Sequence, residues 1–119
     1  MSGENIEVVD NKSIRTFSYI SDSIEAMWRI LLFGESGQAY NIGSEEEIDI
    51  KSLAALISTI TSSRSKIDII PSTNIPHSID TPFRMTPNIE KVKKLGHINK
   101  FYLELGLIRL VNWYKNQNS

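Results

Sequence analysis

All four prolines of this 119-residue chain, Pro71, Pro76, Pro82 and Pro87, lie between residues 71 and 87. Each fixes φ and removes a backbone donor, so neither a helix nor a central strand runs through the segment. An irregular loop is therefore predicted over 71–87. Regular elements must form on either side of it, in 1–70 and 88–119. A chain this short fits one small domain with a modest core, spanning 1–119.

The patterning predicts an α/β fold of short strands and about four helices. Ile6–Val9 reads as a strand ending in the turn Asp10-Asn11-Lys12. Arg15–Ile20 reads as a second extended segment, with Phe17, Tyr19 and Ile20 buried. Asp22 and Glu25 make a capping-box pattern, which predicts a helix over 23–33 closed by Gly34. Ile24, Met27, Trp28, Leu31 and Leu32 trace its apolar stripe. After the turn at 34–37, Gln38–Ile42 reads as a strand containing Asn41. Ser44–Glu47 is expected as a solvated acidic loop. Asp49 is placed to cap a helix over 50–62, with Leu53, Leu56, Ile57 and Ile60 on one face. Ile67–Ile70 follows as a strand. Asn88 caps a short helix over 89–95 that Gly96 ends, and a last helix covers about 101–116. Leu103, Leu107, Leu110, Val111 and Tyr114 form the apolar side of that helix, and Gly106 sits inside it at some cost in propensity.

Charge and composition exclude several kinds of function. Thirteen basic and 14 acidic side chains give a net charge of −1, which supplies no attraction for nucleic acid or an anionic membrane. Lys91, Lys93 and Lys94 read as a solvated helix face. The absence of cysteine rules out disulfides and thiolate chemistry. No run approaches the roughly 18 apolar residues of a membrane span, and the first residues lack a signal-peptide core. A cytoplasmic protein is expected.

No self-sufficient active site is encoded. The two histidines, His77 and His97, have no cysteine to join in a metal site and read as surface or packing residues. There is no G-x-S-x-G elbow and no P-loop. Gly34 and Gly37 follow a helix and precede a strand, the reverse of a dinucleotide-binding turn. What remains is Arg15 before F-S-Y-I, Asn41 within Y-N-I-G, and Arg84 in the proline-rich loop. A guanidinium suits phosphate because its planar fork of donors stays charged. From spacing alone each arginine reads as a surface ion-pair residue before an anion ligand, and Asn41 equally as a strand-end residue bonded to its own loop.

Read in order, these pieces resemble a known family. R-T-F-S-Y-I-S-D at 15–22, Y-N-I-G at 40–43, D-T-P-F-R-M-T-P-N-I-E-K-V-K-K-L-G at 80–96 and E-L-G-L-I-R-L-V-N-W-Y at 104–114 stand in register. They are similar to the carboxy-terminal part of the NAD-dependent nucleotide-sugar epimerases and dehydratases, the extended short-chain dehydrogenase/reductase group. The corresponding family patterns are R-x-F-x-Y-V-x-D, Y-N-[IVL]-G, D-x-x-R-x-x-P-D-x-x-K-x-x-x-L-G-W-x-P and L-E-x-G-L-x-x-x-x-x-W-Y. The likeness runs from about residue 7 to Lys115.

The resemblance implies a nucleoside diphosphate sugar as ligand, with Arg15 and Arg84 on its diphosphate and nucleotide and Asn41 near the nucleotide. It implies NAD or NADP in the full-length enzyme, bound by an amino-terminal Rossmann domain that this chain lacks. The residues four beyond Tyr19, Tyr40, Tyr102 and Tyr114 are Ser23, Ser44, Gly106 and Asn118, so the family's Tyr-x-x-x-Lys dyad is absent. The implied protein is a carboxy-terminal piece or a truncated product, inactive alone, with no catalytic, cofactor or metal residue of its own. Its implied partners are a Rossmann portion or a second copy, and an interaction or self-association module is the alternative. Asp22 is expected as a helix cap, and Trp113 and Tyr114 as packing residues. The chain departs from L-G-W-x-P, carrying Leu95-Gly96-His97-Ile98-Asn99.

Overall fold

The structure, a computed structural model, describes residues 4–10, 12–71 and 83–117. The elements in order are β1 (Ile6–Asp10), β2 (Ile14–Thr16), α1 (Ile20–Phe33), β3 (Glu47–Asp49), α2 (Ile50–Thr61), β4 (Ile67–Pro71), α3 (Glu90–Lys94) and α4 (Leu103–Gln117). The α/β class with short strands and four helices is as expected. Among the described residues no helix is long and apolar enough to cross a membrane. Most of the proline-rich loop, including His77, lies outside the described residues.

The chain divides into two compact units. One comprises Met1–Arg15, Ile48–Met85 and Leu107–Ser119, and the other Thr16–Glu47 and Thr86–Gly106. In the first, β1 and β4 pair in parallel, with Ile6 opposite Ile67 and Val8 opposite Ile69. Parallel strands need a long connection between them, and α2, which leads into β4, packs on both strands. Val8 is the fully buried member of β1. Asp49 caps α2 as its position predicts: Oδ1 accepts from the Ser52 amide at 2.9 Å, and the Ser52 hydroxyl donates to Oδ2. β2 and β3 form a separate two-stranded sheet.

In the second unit α1 packs against α3 around Ala26, Ile89 and Val92, with Ile30 and Ile42 beside them. Gly96 ends α3 with φ +86°, a left-handed conformation that favours glycine. Asn88 caps the helix one residue early, its Oδ1 accepting from the Glu90 amide at 3.0 Å. Gly106 is buried within α4 because Tyr19, whose ring lies tilted against Phe101 with centres 4.6 Å apart, fills the space above it.

Four expectations are corrected here. Regular strand stops at Thr16, because α1 begins at Ile20, three residues before the capping-box pattern would start it. Phe17 and Ile20 are exposed rather than buried. Gln38–Ile42 forms no strand; its polar groups are met by side chains and by the α3 region, with the Tyr40 hydroxyl accepting from the Glu35 amide at 2.9 Å and Lys91 donating to Gln38 and to the Ala39 carbonyl. Most consequentially, the apolar stripe of α1 faces outward: Met27 and Trp28 are each 59% exposed and Leu31 72%. Asp22 and Ala26, on the opposite side of the helix, are the buried residues.

Gly34 closes α1 in an extended conformation, with φ −72°, so its need for glycine is steric. A Cβ there would fall 2.5 Å from the Ile30 carbonyl oxygen, a backbone atom that cannot step aside. Gly34→Ala is expected to destabilise the fold by about 1–3 kcal/mol, the usual cost of overpacking. A shift of the urea midpoint to lower concentration checks this, and an unchanged midpoint refutes it.

Candidate functional site

Arg15 and Arg84 are 69 positions apart in sequence, and one backbone bridge brings their segments together. The Ile14 amide donates to the Phe83 carbonyl at 2.8 Å, and the Met85 amide donates to the Ile14 carbonyl at 3.3 Å. This makes a parallel bridge between Ile14 and Arg84, so the two arginines occupy neighbouring rungs within one compact unit. Paired residues share a face and successive residues alternate. The side chains of Arg15 and Arg84 therefore leave the bridge on opposite faces. Arg15 is half-buried and donates from a guanidinium nitrogen to the Ile14 carbonyl at 2.7 Å, while Arg84 is exposed.

Asn41 belongs to the other unit. Its side-chain amide donates to the Asn88 carbonyl at 3.1 Å, tying Tyr40-Asn41-Ile42 to the residues that open α3. The partner lies 47 positions on, outside Asn41's own loop. Among the described residues no group of histidine and carboxylate side chains is arranged to hold a metal ion.

No protein-family model matches the chain. It is 32% identical over 119 residues to UDP-N-acetyl-alpha-D-glucosaminuronate decarboxylase of Bacillus cytotoxicus, covering 97% of this chain and 37% of that protein. It is also 32% identical over 105 residues to dTDP-D-glucose 4,6-dehydratase of Mus musculus, covering 85% of this chain and 29% of that enzyme. A dTDP-glucose 4,6-dehydratase of Streptomyces venezuelae, solved with NAD and TYD bound, superposes with a TM-score of 0.82 at 19% identity. That match takes in 98% of this chain and 35% of the solved one.

The chain belongs to the carboxy-terminal region of the extended short-chain dehydrogenases/reductases. Its relatives there include nucleotide-sugar decarboxylases and 4,6-dehydratases. The chain spans little more than a third of the first of these relatives.

Within this family region, the departure from L-G-W-x-P has a structural role. His97 is buried, 2% exposed, and joins a chain of side-chain bonds. Its Nδ1 contacts a Glu25 carboxylate oxygen, and its Nε2 lies 2.9 Å from Asn99 Oδ1. The Asn99 side-chain amide in turn donates to the Gly43 carbonyl at 3.0 Å. Arg29 bonds the other Glu25 oxygen and donates to the Leu95 carbonyl at 3.1 Å. Glu25 is therefore an ion-pair residue and not half of a capping box. Asp22 is no cap either: Oδ2 of this buried carboxylate accepts the Lys100 and Phe101 amides, each at 2.9 Å. His97, expected as a surface or packing residue, is an interior hydrogen-bonding one. The only signal for this network in the sequence is the polar pair His97 and Asn99 where the family pattern has tryptophan and proline.

Burial pushes the Glu25 carboxyl up, but the hydrogen bonds from His97 and Arg29 and their positive charges outweigh it and hold the group below its ordinary value. A carboxyl depressed in the folded state contributes stability above its unfolded value and loses it as pH falls through the folded one. Between about pH 5 and pH 3, around and below the ordinary glutamate value, the wild-type chain is expected to lose more stability than Glu25→Gln does. Urea titrations at each pH check this, and parallel losses in the two proteins contradict it.

Proposed function

We propose that this chain is the nucleotide-sugar-binding portion of an NAD-dependent epimerase or dehydratase, and that Arg15 and Arg84 grip the diphosphate. The observation that carries the reading is the Ile14–Arg84 bridge, which sets two arginines on neighbouring rungs. From those fixed backbone positions each long, flexible side chain would reach round to the diphosphate. Each would make charge-assisted bonds that fix the sugar's position. The curated relatives include enzymes acting on UDP- and dTDP-linked sugars. Asn41 holds the Y-N-I-G segment beside the nucleotide. NAD or NADP supplies hydride transfer from the part of the fold that carries a glycine-rich turn and a Tyr-x-x-x-Lys dyad. Neither motif occurs in these 119 residues, so the chain alone binds without turning over. The balanced charge and absence of cysteine suit a cytoplasmic protein.

Isothermal calorimetry with UDP-glucose and dTDP-glucose tests this reading. Arg15→Ala and Arg84→Ala are each expected to weaken binding by about 10- to 100-fold, the worth of a hydrogen bond to a charged group. Arg→Lys, which keeps the charge and loses the fork, should recover part of it. Equal affinity in wild type and both alanine variants, or no heat with either sugar nucleotide, counts against the assignment.

A second reading, a self-association module, is favoured by one observation. Ile24, Met27, Trp28 and Leu31 form an uncharged, exposed face on α1, and contiguous apolar patches of this kind mark interaction sites. Sedimentation velocity is expected to show a concentration-dependent dimer that Leu31→Asp returns to monomer. A monomer at every concentration in the wild type removes this reading.

A further inference from the structure

Among the described residues no strand pairs with Gln38–Gly43, so the segment owes its conformation to bonds from outside it. The Gln38 amide donates to the Glu35 carbonyl at 3.2 Å, and the Tyr40 hydroxyl accepts from the Glu35 amide. The Asn41 side-chain amide reaches the Asn88 carbonyl. Gly43 lies against Pro87, where a Cβ would fall 2.7 Å from the ring Cγ. Lys91, the second residue of α3, adds the most contacts. Its Nζ donates to Gln38 Oε1 at 3.1 Å and to the Ala39 carbonyl at 3.2 Å, and lies 5.8 Å from the centre of the Tyr40 ring. All of these residues belong to one compact unit.

The three lysines of α3 therefore differ in role. Lys93 is an ion-pair residue shared between Glu45 and Glu90. Lys94 is exposed. Among the described residues Lys91 pairs with no carboxylate; it spends two of its ammonium donors on the neutral acceptors of Gln38 and Ala39. A charged donor on a neutral acceptor is directional, and it holds its partner better than an ordinary surface ion pair does.

We infer that Lys91 is a positioning residue: it fixes Gln38-Ala39-Tyr40 against α3 and so sets where Asn41 stands, without itself touching the ligand. The inference rests on the reading that puts Asn41 beside the nucleotide. Held by the Asn88 bond alone, the segment would pivot about a single point. The two Lys91 bonds supply a second and a third, and three points define an orientation. A side chain held in its binding geometry beforehand loses little freedom when the ligand arrives. Without Lys91 that ordering cost falls on binding.

Calorimetry of UDP-glucose binding to the full chain tests this, with Lys91→Met, Asn41→Ala, their double variant and Lys94→Met beside the wild type. Lys91→Met is expected to weaken binding by about 3- to 10-fold, the worth of an ordinary hydrogen bond. In the Asn41→Ala background it should cost little more, because a residue acting through another has no separate effect once that other is gone. Lys91→Arg, which keeps the charge and the donors, should recover part of the affinity. Lys94→Met removes the same charge from the same helix and should leave the affinity unchanged. Hydrogen exchange at residues 39–42 should quicken in Lys91→Met while Ala26 and Val92 keep their protection, which makes the loss local. Wild-type affinity in Lys91→Met, additive losses in the double variant, an equal loss in Lys94→Met, or unchanged exchange at 39–42 overturns the inference and leaves the nucleotide-sugar reading standing. A wild type that binds no UDP-glucose removes that reading and this inference together.

Discussion

A single carboxylate oxygen organises much of the unit built from Thr16–Glu47 and Thr86–Gly106. Asp22 Oδ2 accepts two successive backbone amides, from Lys100 and Phe101, and the carboxylate is almost wholly withdrawn from solvent. An ionised carboxylate so placed needs such donors, and the two amides just ahead of a helix need an acceptor. The bond fixes where the chain enters α4, and with it the position of Phe101. Phe101 packs against Tyr19, and Tyr19 covers Gly106. Nearby the Leu103 amide finds Glu46 Oε2 at 2.7 Å, so the first turn of α4 is capped by a residue far back in the sequence. An acidic loop that reads as merely solvated thus supplies a structural acceptor.

These long-range bonds mark the boundary of what sequence can reveal. Asp49 was legible because its partner, Ser52, is three residues away and the geometry of a helix start is local. Gly96 was legible for the same reason. Asp22 and Glu25 present the same local pattern as a capping pair, yet their partners are Phe101 and His97, more than 70 positions on. A tertiary acceptor need overrode the local one, and α1 took an earlier start. The 38–42 segment misled differently. Its alternation fits a strand, but among the described residues no neighbouring strand pairs with it, and an extended segment without a ladder partner is not sheet.

The candidate site divides in the same way. That Arg15 and Arg84 could hold an anion was legible from residue chemistry, and their family motifs from their order along the chain. Their adjacency was not, because a one-rung bridge across 69 positions leaves no periodic trace. For Asn41 the structure supplies a definite partner, Asn88, and a reason for the residue type: a side-chain amide reaches a backbone carbonyl at the start of α3.

The orientation of α1 follows from a limit of periodicity itself. Positions 22, 26, 29 and 30 lie along one side of the helix and positions 20, 24, 27, 28 and 31 along the other. The second set is the more apolar, so a moment argument turns it inward. The structure buries the first set, because the small side chain of Ala26 admits Ile89 and Val92 of the α3 region, and because Asp22 and Arg29 have backbone groups to bind on that side. A helix with specific contacts on one face and large apolar residues on the other is built for two neighbours. The chain provides the first neighbour in α3. The large apolar residues opposite it, Met27, Trp28 and Leu31, stay exposed.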